Sequence, residues 1–217
     1  MDYGLVPSDE VVVGIHGGSF KARPTLFHWF NYSLMSLVTG AKVVVPLYKM
    51  TPDGGTASTE VPKMADFVSS LIDEHGADNV SILGDSAGGT LALATAQEIY
   101  RRGGTQPQAM VLFSPGLDLT YSRPGIEKIF DPVLDLAALR QSGIDWAGGA
   151  TETTVDDLAV TDPLVSPLYG SLEDLLPTYV YTGRFCSSSG LPAEPHNMQE
   201  TQPSTSVPSS ANWRSRM

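Results

Sequence analysis

A chain of 217 residues, of which 41% are hydrophobic, is long enough to build one well-filled core. Its formal net charge of -11 disfavours binding to phosphate backbones and anionic membranes, so nucleic acid is not an expected partner. The single cysteine, Cys186, excludes an internal disulfide framework and a zinc site built from several thiolates.

Short β-branched and apolar runs alternate along the chain with longer stretches of helical periodicity. This alternation is typical of a parallel sheet with crossover helices, which is an α/β fold. The runs predicted as strands are residues 11–15, 41–47, 80–83, 110–113 and 178–181. The stretches predicted as helices are residues 25–38, 61–75 and 87–102, the first and third being rich in apolar residues.

Two further segments depart from this alternation. Residues 122–158 combine helical character near 134–142 with turn signals, and we interpret them as an excursion over the sheet that could carry a partial cap. Residues 187–217 are rich in Ser, Pro, Thr, Gln and Asn without a strand or helix period, which predicts a disordered tail. The predicted organisation is therefore a core over residues 1–186 followed by that tail.

The segment Gly84-Asp85-Ser86-Ala87-Gly88 follows an apolar strand and opens a helix of small residues. A nucleophile elbow needs this context, because the serine sits on a sharp strand-to-helix turn that only small neighbours such as Gly84 and Gly88 allow. The N-terminal dipole of the helix would also favour an oxyanion beside Ser86. Outside such a context the same pattern occurs often in ordinary glycine turns. Here it predicts Ser86 as a nucleophile.

The segment His16-Gly17-Gly18-Ser19 also follows a strand, where a loop can offer backbone N–H groups to an acyl oxygen. The predicted oxyanion donors are the N–H groups of Gly17, Gly18 and Ala87, each contributing on the order of 3 kcal/mol in a transition state. A plain glycine turn is the alternative interpretation. For His16 itself we expect a structural role with a local hydrogen bond.

Together these motifs resemble the hormone-sensitive-lipase-like branch of the α/β-hydrolases. Residues 16–19 are similar to the HGGG motif of that family, residues 48–53 stand at its YRLAPE motif, and residues 84–89 match its GDSAGG motif. Residues 162–168 and 176–183 resemble the segments before and within its seventh strand. The resemblance covers residues 10–185 and implies hydrolysis of short or medium acyl esters by a Ser-Asp-His triad, without a metal or cofactor.

Members of that family have an N-terminal cap and two more strands before HGGG, and we expect these elements to be absent here. At the position of their catalytic Asp this chain has Cys186, which we interpret as a thiol at the solvent edge. His196 follows too soon to lie after another crossover and strand. His28 and His75 are expected to be ordinary helix residues, and Asp118 a turn residue rather than an alternative orienting acid.

Two functional hypotheses remain. One is a serine esterase that acts on a small-molecule acyl ester, with activity impaired by the missing triad Asp and His. The other is a non-catalytic truncated or frame-shifted fragment, or a pseudoenzyme that keeps an acyl-binding pocket. The chain shows no secretory signal or membrane-length apolar run, so we expect a cytoplasmic protein without a stable membrane anchor. Uncovered sheet edges predict self-association.

Overall fold

The computed structural model describes residues 8–149 and 158–182. Cys186, His196 and the predicted tail at 187–217 lie outside the described residues. The described elements, in chain order, are the following: β1 (Val11–Ile15), α1 (Leu26–Thr39), β2 (Lys42–Val44), α2 (Ala57–His75), β3 (Val80–Asp85), α3 (Ala87–Arg101), β4 (Ala109–Phe113), α4 (Leu136–Ala147) and β5 (Thr178–Tyr181).

The strands form one parallel sheet in the order β2-β1-β3-β4-β5. This confirms the predicted α/β core, a parallel sheet of about five strands with flanking helices. Because all strands run in the same direction, their carboxyl ends lie along one edge of the sheet, where ligands bind in open α/β folds. Both glycine-containing motifs found in the sequence follow strands at that edge.

Among the core elements with a predicted range, three boundaries differ from the prediction by more than one residue. β2 ends at Val44 rather than at residue 47, and Pro46, which lacks an N–H donor, follows soon after. β3 continues to Asp85 because Gly84 pairs with Ile15 and Asp85 with Phe113. α2 begins at Ala57 rather than at residue 61, because a capping box on Thr56 starts the helix and leaves a proline inside it.

One face of the sheet carries the core. Alternate residues of β1, β3 and β4 are buried beneath α2 and α3, which contact each other and the same strands. The buried strand residues include Val13, Ile15, Ile82, Met110 and Leu112. These side chains alternate along each strand, as the two-residue period requires.

α1 lies on the opposite face of the sheet. Its Tyr32 ring packs on Gly14, where even a Cβ atom would be only 2.9 Å from Tyr32 Cε1. Tyr32 is the buried residue of this helix, whereas Leu26 is 87% exposed and Phe27 73% exposed. The apolar residues that suggested a packed helix therefore form an exposed surface on the described part of the chain.

We expect the chain to self-associate, because β2 and β5 are the edge strands of the sheet that the described residues form, and α1 exposes a large apolar surface. Size-exclusion chromatography across micromolar concentrations should show species larger than a monomer. Replacing Phe27 and Phe30 of α1 with serine should shift the elution toward the monomer. Phe130→Ser, at an exposed position outside α1, is the matched control. A wild-type chain that elutes as a monomer at every concentration would contradict this expectation.

Candidate active site

Ser86 lies at the junction between β3 and α3 in a strained backbone conformation. Its φ of 49° and ψ of -119° lie outside the regions that non-glycine residues prefer. Its N–H donates to the Phe113 carbonyl at 2.9 Å, and its carbonyl accepts from Gly89 N at 3.0 Å and Thr90 N at 3.2 Å. The surrounding backbone therefore holds Ser86 in this conformation from both sides, as a nucleophile elbow requires.

The glycines around Ser86 are required by close backbone packing. A Cβ atom at Gly84 would lie 2.5 Å from the Gly88 carbonyl oxygen. A Cβ at Gly88 would collide with the Ile15 carbonyl oxygen and lie 2.6 Å from that of His16. These contacts bring the start of α3 directly against the end of β1, which explains both motif glycines sterically.

The loop that follows β1 begins with residues 16–19, is called the glycine loop here, and lies beside Ser86. A Cβ at Gly17 would collide with the Asp85 carboxylate and would lie 3.0 Å from Ser86 Cβ. Gly18 has a φ of +116°, which L-residues rarely adopt, and its carbonyl accepts from Lys21 N at 2.9 Å. The loop thus turns tightly and places its backbone within a few ångströms of the candidate nucleophile.

The N–H groups of Gly17, Gly18 and Ala87 have no hydrogen-bond acceptor among the described residues. Buried or enclosed backbone donors are nearly always paired, so an unpaired set next to one serine requires an explanation. Ala87 is the first residue of α3, where helix N–H groups are free and the helix dipole favours negative charge. This arrangement can bind an oxygen that carries negative charge.

His16 has the expected structural role. Its ring is fully buried, Nδ1 lies 2.7 Å from the Gly17 carbonyl, and the ring stacks on Tyr48 with centroids 4.7 Å apart. A carbonyl only accepts, so Nδ1 carries the proton. Burial lowers the pKa of His16, which keeps the ring neutral. Burial raises the pKa of Tyr48. Its hydroxyl donates to the His16 carbonyl at 2.9 Å and so anchors the glycine loop.

His28 contributes more to the site than the sequence indicated. Its Nδ1 accepts from Thr25 N at 3.0 Å, and its Nε2 lies 3.3 Å from the Asp85 carboxylate. The imidazole therefore links the first turn of α1 to the residue before Ser86. Because both ring nitrogens have partners, His28 is not free to take a proton from Ser86. None of the described histidines is therefore positioned to act as a general base toward Ser86.

The excursion, in which a partial cap was predicted, also packs against the site, but its sequence did not indicate through which residues. Trp146 of α4 is fully buried and stacks on Phe20, with ring centroids 4.2 Å apart. Lys21 Nζ lies 2.7 Å from the Asp145 carboxylate. α4, predicted near residues 134–142, therefore packs against the glycine loop. The only sequence signal was a tryptophan on an apolar helix face, which indicates burial but not the partner.

Several other candidates are placed by the structure. Ser86 Oγ has no hydrogen-bond partner among the described residues. Asp118 accepts from Thr120 N at 2.9 Å, so it forms the expected turn. His75 lies beside Glu74 on α2 as an ordinary helix residue. In the described part of the chain, no three His, Cys, Asp or Glu side chains are grouped closely enough to hold a metal ion, and no helix is long and apolar enough to cross a membrane.

Comparisons with known proteins agree with this arrangement. A family model described as alpha/beta hydrolase fold matches residues 12–190. A triacylglycerol lipase of Mycobacterium tuberculosis is 48% identical over 82% of this chain and 35% of that protein. An acetyl-hydrolase of Streptomyces hygroscopicus is 28% identical over 83% of this chain and 64% of that protein. A crystal structure of a putative esterase from Staphylococcus aureus aligns with a TM-score of 0.72 and 30% identity, covering 81% of this chain and 58% of that one.

A strained serine between a parallel strand and a helix, with a glycine loop at the end of the adjacent strand, defines the α/β-hydrolase class of architecture. The chain belongs to the α/β-hydrolase fold family. Its predicted resemblance to the hormone-sensitive-lipase-like branch is confirmed at the level of the fold, since a hormone-sensitive lipase from a metagenome library aligns with a TM-score of 0.72 and 23% identity. It spans about a third of the length of the lipase and under two thirds of the acetyl-hydrolase and the putative esterase.

Proposed function

We propose that this chain acts on carboxylic esters through Ser86. In this reaction Ser86 Oγ forms a bond to the ester carbonyl carbon, the ester C–O bond breaks, and the alcohol leaves with the serine proton. Water then hydrolyses the acyl-serine and releases the carboxylic acid. The developing oxyanion accepts hydrogen bonds from the N–H groups of Gly17, Gly18 and Ala87.

The observation that carries this proposal is the strained Ser86 beside three backbone donors that have no acceptor within the described residues. Lipase, esterase and acetyl-hydrolase relatives support the same reaction type. The partner of the site would then be a small-molecule acyl ester, and neither nucleic acid nor a membrane anchor is needed. A cytoplasmic location also stays a prediction.

We expect the turnover to be slow. A serine hydroxyl without a base is a weak nucleophile at neutral pH, and no described side chain accepts a proton from Ser86. Serine hydrolases that lose a triad member keep an acceleration of only ~10³ to 10⁴ over water. The backbone donors of this site should therefore give weak hydrolysis and not the rate of a complete triad.

Hydrolysis of p-nitrophenyl acetate by the purified chain tests the proposal. Ser86→Ala should lower the rate to the residual that the backbone donors alone support, whereas Ser70→Ala, at an exposed position on α2, should leave it unchanged. His196→Ala should also have no effect. If the wild-type chain is fast and His196→Ala abolishes its rate, His196 is the base and the expected impairment is wrong.

A non-catalytic acyl-binding protein is the second candidate, and it is favoured by the lack of a hydrogen-bond partner for Ser86 Oγ among the described residues. In that case the wild-type chain and Ser86→Ala would hydrolyse the ester at the same rate. One measurement therefore distinguishes the esterase from the acyl-binding protein: the difference in hydrolysis rate between the wild-type chain and Ser86→Ala.

A further inference from the structure

A small cavity opens beside Ser86, between α3, the loop after β4, and α4. We call it the Ser86 pocket and define it by these wall residues: Ser86, Thr90, Leu119, Tyr121, Leu139 and Ser142. The volume of this cavity that a water-sized group can enter is only about 10 Å³. This is the space that one such group occupies. The pocket thus has room for about one non-hydrogen atom.

The walls of the Ser86 pocket are packed from behind. Leu139 is 7% exposed and Tyr121 is 4% exposed. Arg140 Nη2 donates to the Tyr121 carbonyl at 2.7 Å, which ties the loop after β4 to α4. A Cβ atom at Gly116 would lie 3.0 Å from Tyr121 Oη, so the ring already fills the space on that side. Because these side chains are closely packed, they have little room to move aside for a larger ligand group.

α4 approaches the same loop as closely as backbone atoms allow. A Cβ atom at Gly143 would lie 2.7 Å from the Leu119 carbonyl oxygen. Leu139 stands one turn earlier on this helix and lines the same pocket as Ser86. Its side chain is therefore held in place by a helix that is itself fixed to the pocket wall.

Two hydroxyl groups of the pocket wall, those of Thr90 and Ser142, are already hydrogen-bonded within the protein. Thr90 Oγ1 donates to the Gly116 carbonyl at 2.6 Å, and Ser142 Oγ donates to the Ala138 carbonyl at 2.9 Å. Beyond Ser86 itself, a ligand group therefore meets mainly methyl, methylene and ring atoms. A small apolar group fits this environment, and a polar one would lose its bonds to water.

We propose that the Ser86 pocket receives the methyl group of an acetyl ester and excludes longer acyl chains, with Leu139 setting the limit. This inference rests on the proposed reaction of Ser86 and narrows it to acetyl esters. A methyl group fills the available volume when the acyl carbon lies at Ser86 Oγ. Each further methylene would have to displace packed side chains.

Rates with p-nitrophenyl acetate, butyrate and hexanoate test the acyl limit, each corrected for the rate of Ser86→Ala. The expected kcat/KM for acetate exceeds that for hexanoate by at least about tenfold. Leu139→Ala should raise the hexanoate-to-acetate ratio by about tenfold, and Leu139→Val by less. Leu136→Ala, on the same helix but outside the pocket, is the matched control and should leave the ratio unchanged. Equal wild-type rates for acetate and hexanoate would overturn the proposal.

A second measurement does not depend on turnover. In the Ser86→Ala variant, with ¹³C-labelled leucine methyl groups, methyl acetate should give saturable shifts of the Leu139 resonances and methyl hexanoate should not. Equal shifts with both esters, or none with either, would disprove the pocket assignment. If no ester shows Ser86-dependent hydrolysis while the NMR result is as expected, the proposed function fails and the acetyl-sized pocket stands as a binding site.

Discussion

Gly88→Ala should destabilise the fold by about 3 kcal/mol or more, because its Cβ would collide with the Ile15 carbonyl oxygen and crowd that of His16. Ile15 ends β1 and pairs with Gly84 of β3, and His16 follows it directly, so the sheet holds both carbonyls close to the start of α3. Intrinsic helix propensity alone would predict a gain of up to about 1 kcal/mol for the same substitution. Urea denaturation of the purified variant measures which effect dominates.

Gly103→Ala provides the control for this prediction. Gly103 has a φ of +69°, and a Cβ atom there would meet nothing within 4 Å, so alanine costs only backbone strain of about 1 kcal/mol. A Gly88→Ala variant as stable as wild type would show that α3 does not lie against β1 as described. A loss no larger than that of Gly103→Ala would lead to the same conclusion.

Trp146→Ala should cost about 3–5 kcal/mol of unfolding free energy, as expected for removal of a fully buried aromatic side chain. The indole lies between two elements of the site, stacked on Phe20 and edge-on to Tyr48 at a centroid distance of 6.4 Å. Its loss would leave a cavity between α4 and the glycine loop. The prediction is measured as a change in urea midpoint at constant slope.

Two variants complete that test. Trp146→Phe keeps an aromatic face for Phe20, and Nε1 has no hydrogen-bond partner among the described residues, so this change should cost much less than alanine. Trp29→Ala removes the same side chain type from a 43% exposed position on α1 and should have little effect. Equal losses for Trp146→Ala and Trp29→Ala would refute the packing of α4.

The sequence predicted the elements whose signals are local. Strand positions followed from short apolar runs, and the elbow followed from small residues between a strand and a helix. The structure confirms the sheet and places Ser86, Gly17, Gly18 and Ala87 at one end of it. Their catalytic roles stay predictions. The two motifs meet because they follow β1 and β3, which are neighbouring parallel strands and therefore end at the same edge of the sheet.

Features that depend on distant partners were not predicted. The apolar periodicity of α1 indicated a helix but not its environment: Phe27 and Phe30 are exposed, because periodicity does not reveal what covers a helix face. Nothing near His28 in the sequence indicated Asp85, and nothing near Phe20 indicated Trp146. Such pairs join residues far apart along the chain, so only tertiary packing determines them.

The contact of Gly88 with the carbonyl groups of Ile15 and His16 also bears on how such a site can evolve. The glycine loop and the nucleophile turn touch through main-chain atoms, so no side-chain substitution can adjust their spacing. Their chemistry can be lost by a point mutation, but their separation can be retuned only by shifting β1 or α3 as a whole. Sequence drift in this chain is therefore expected to remodel the walls around Ser86 long before it alters the distance between donors and nucleophile.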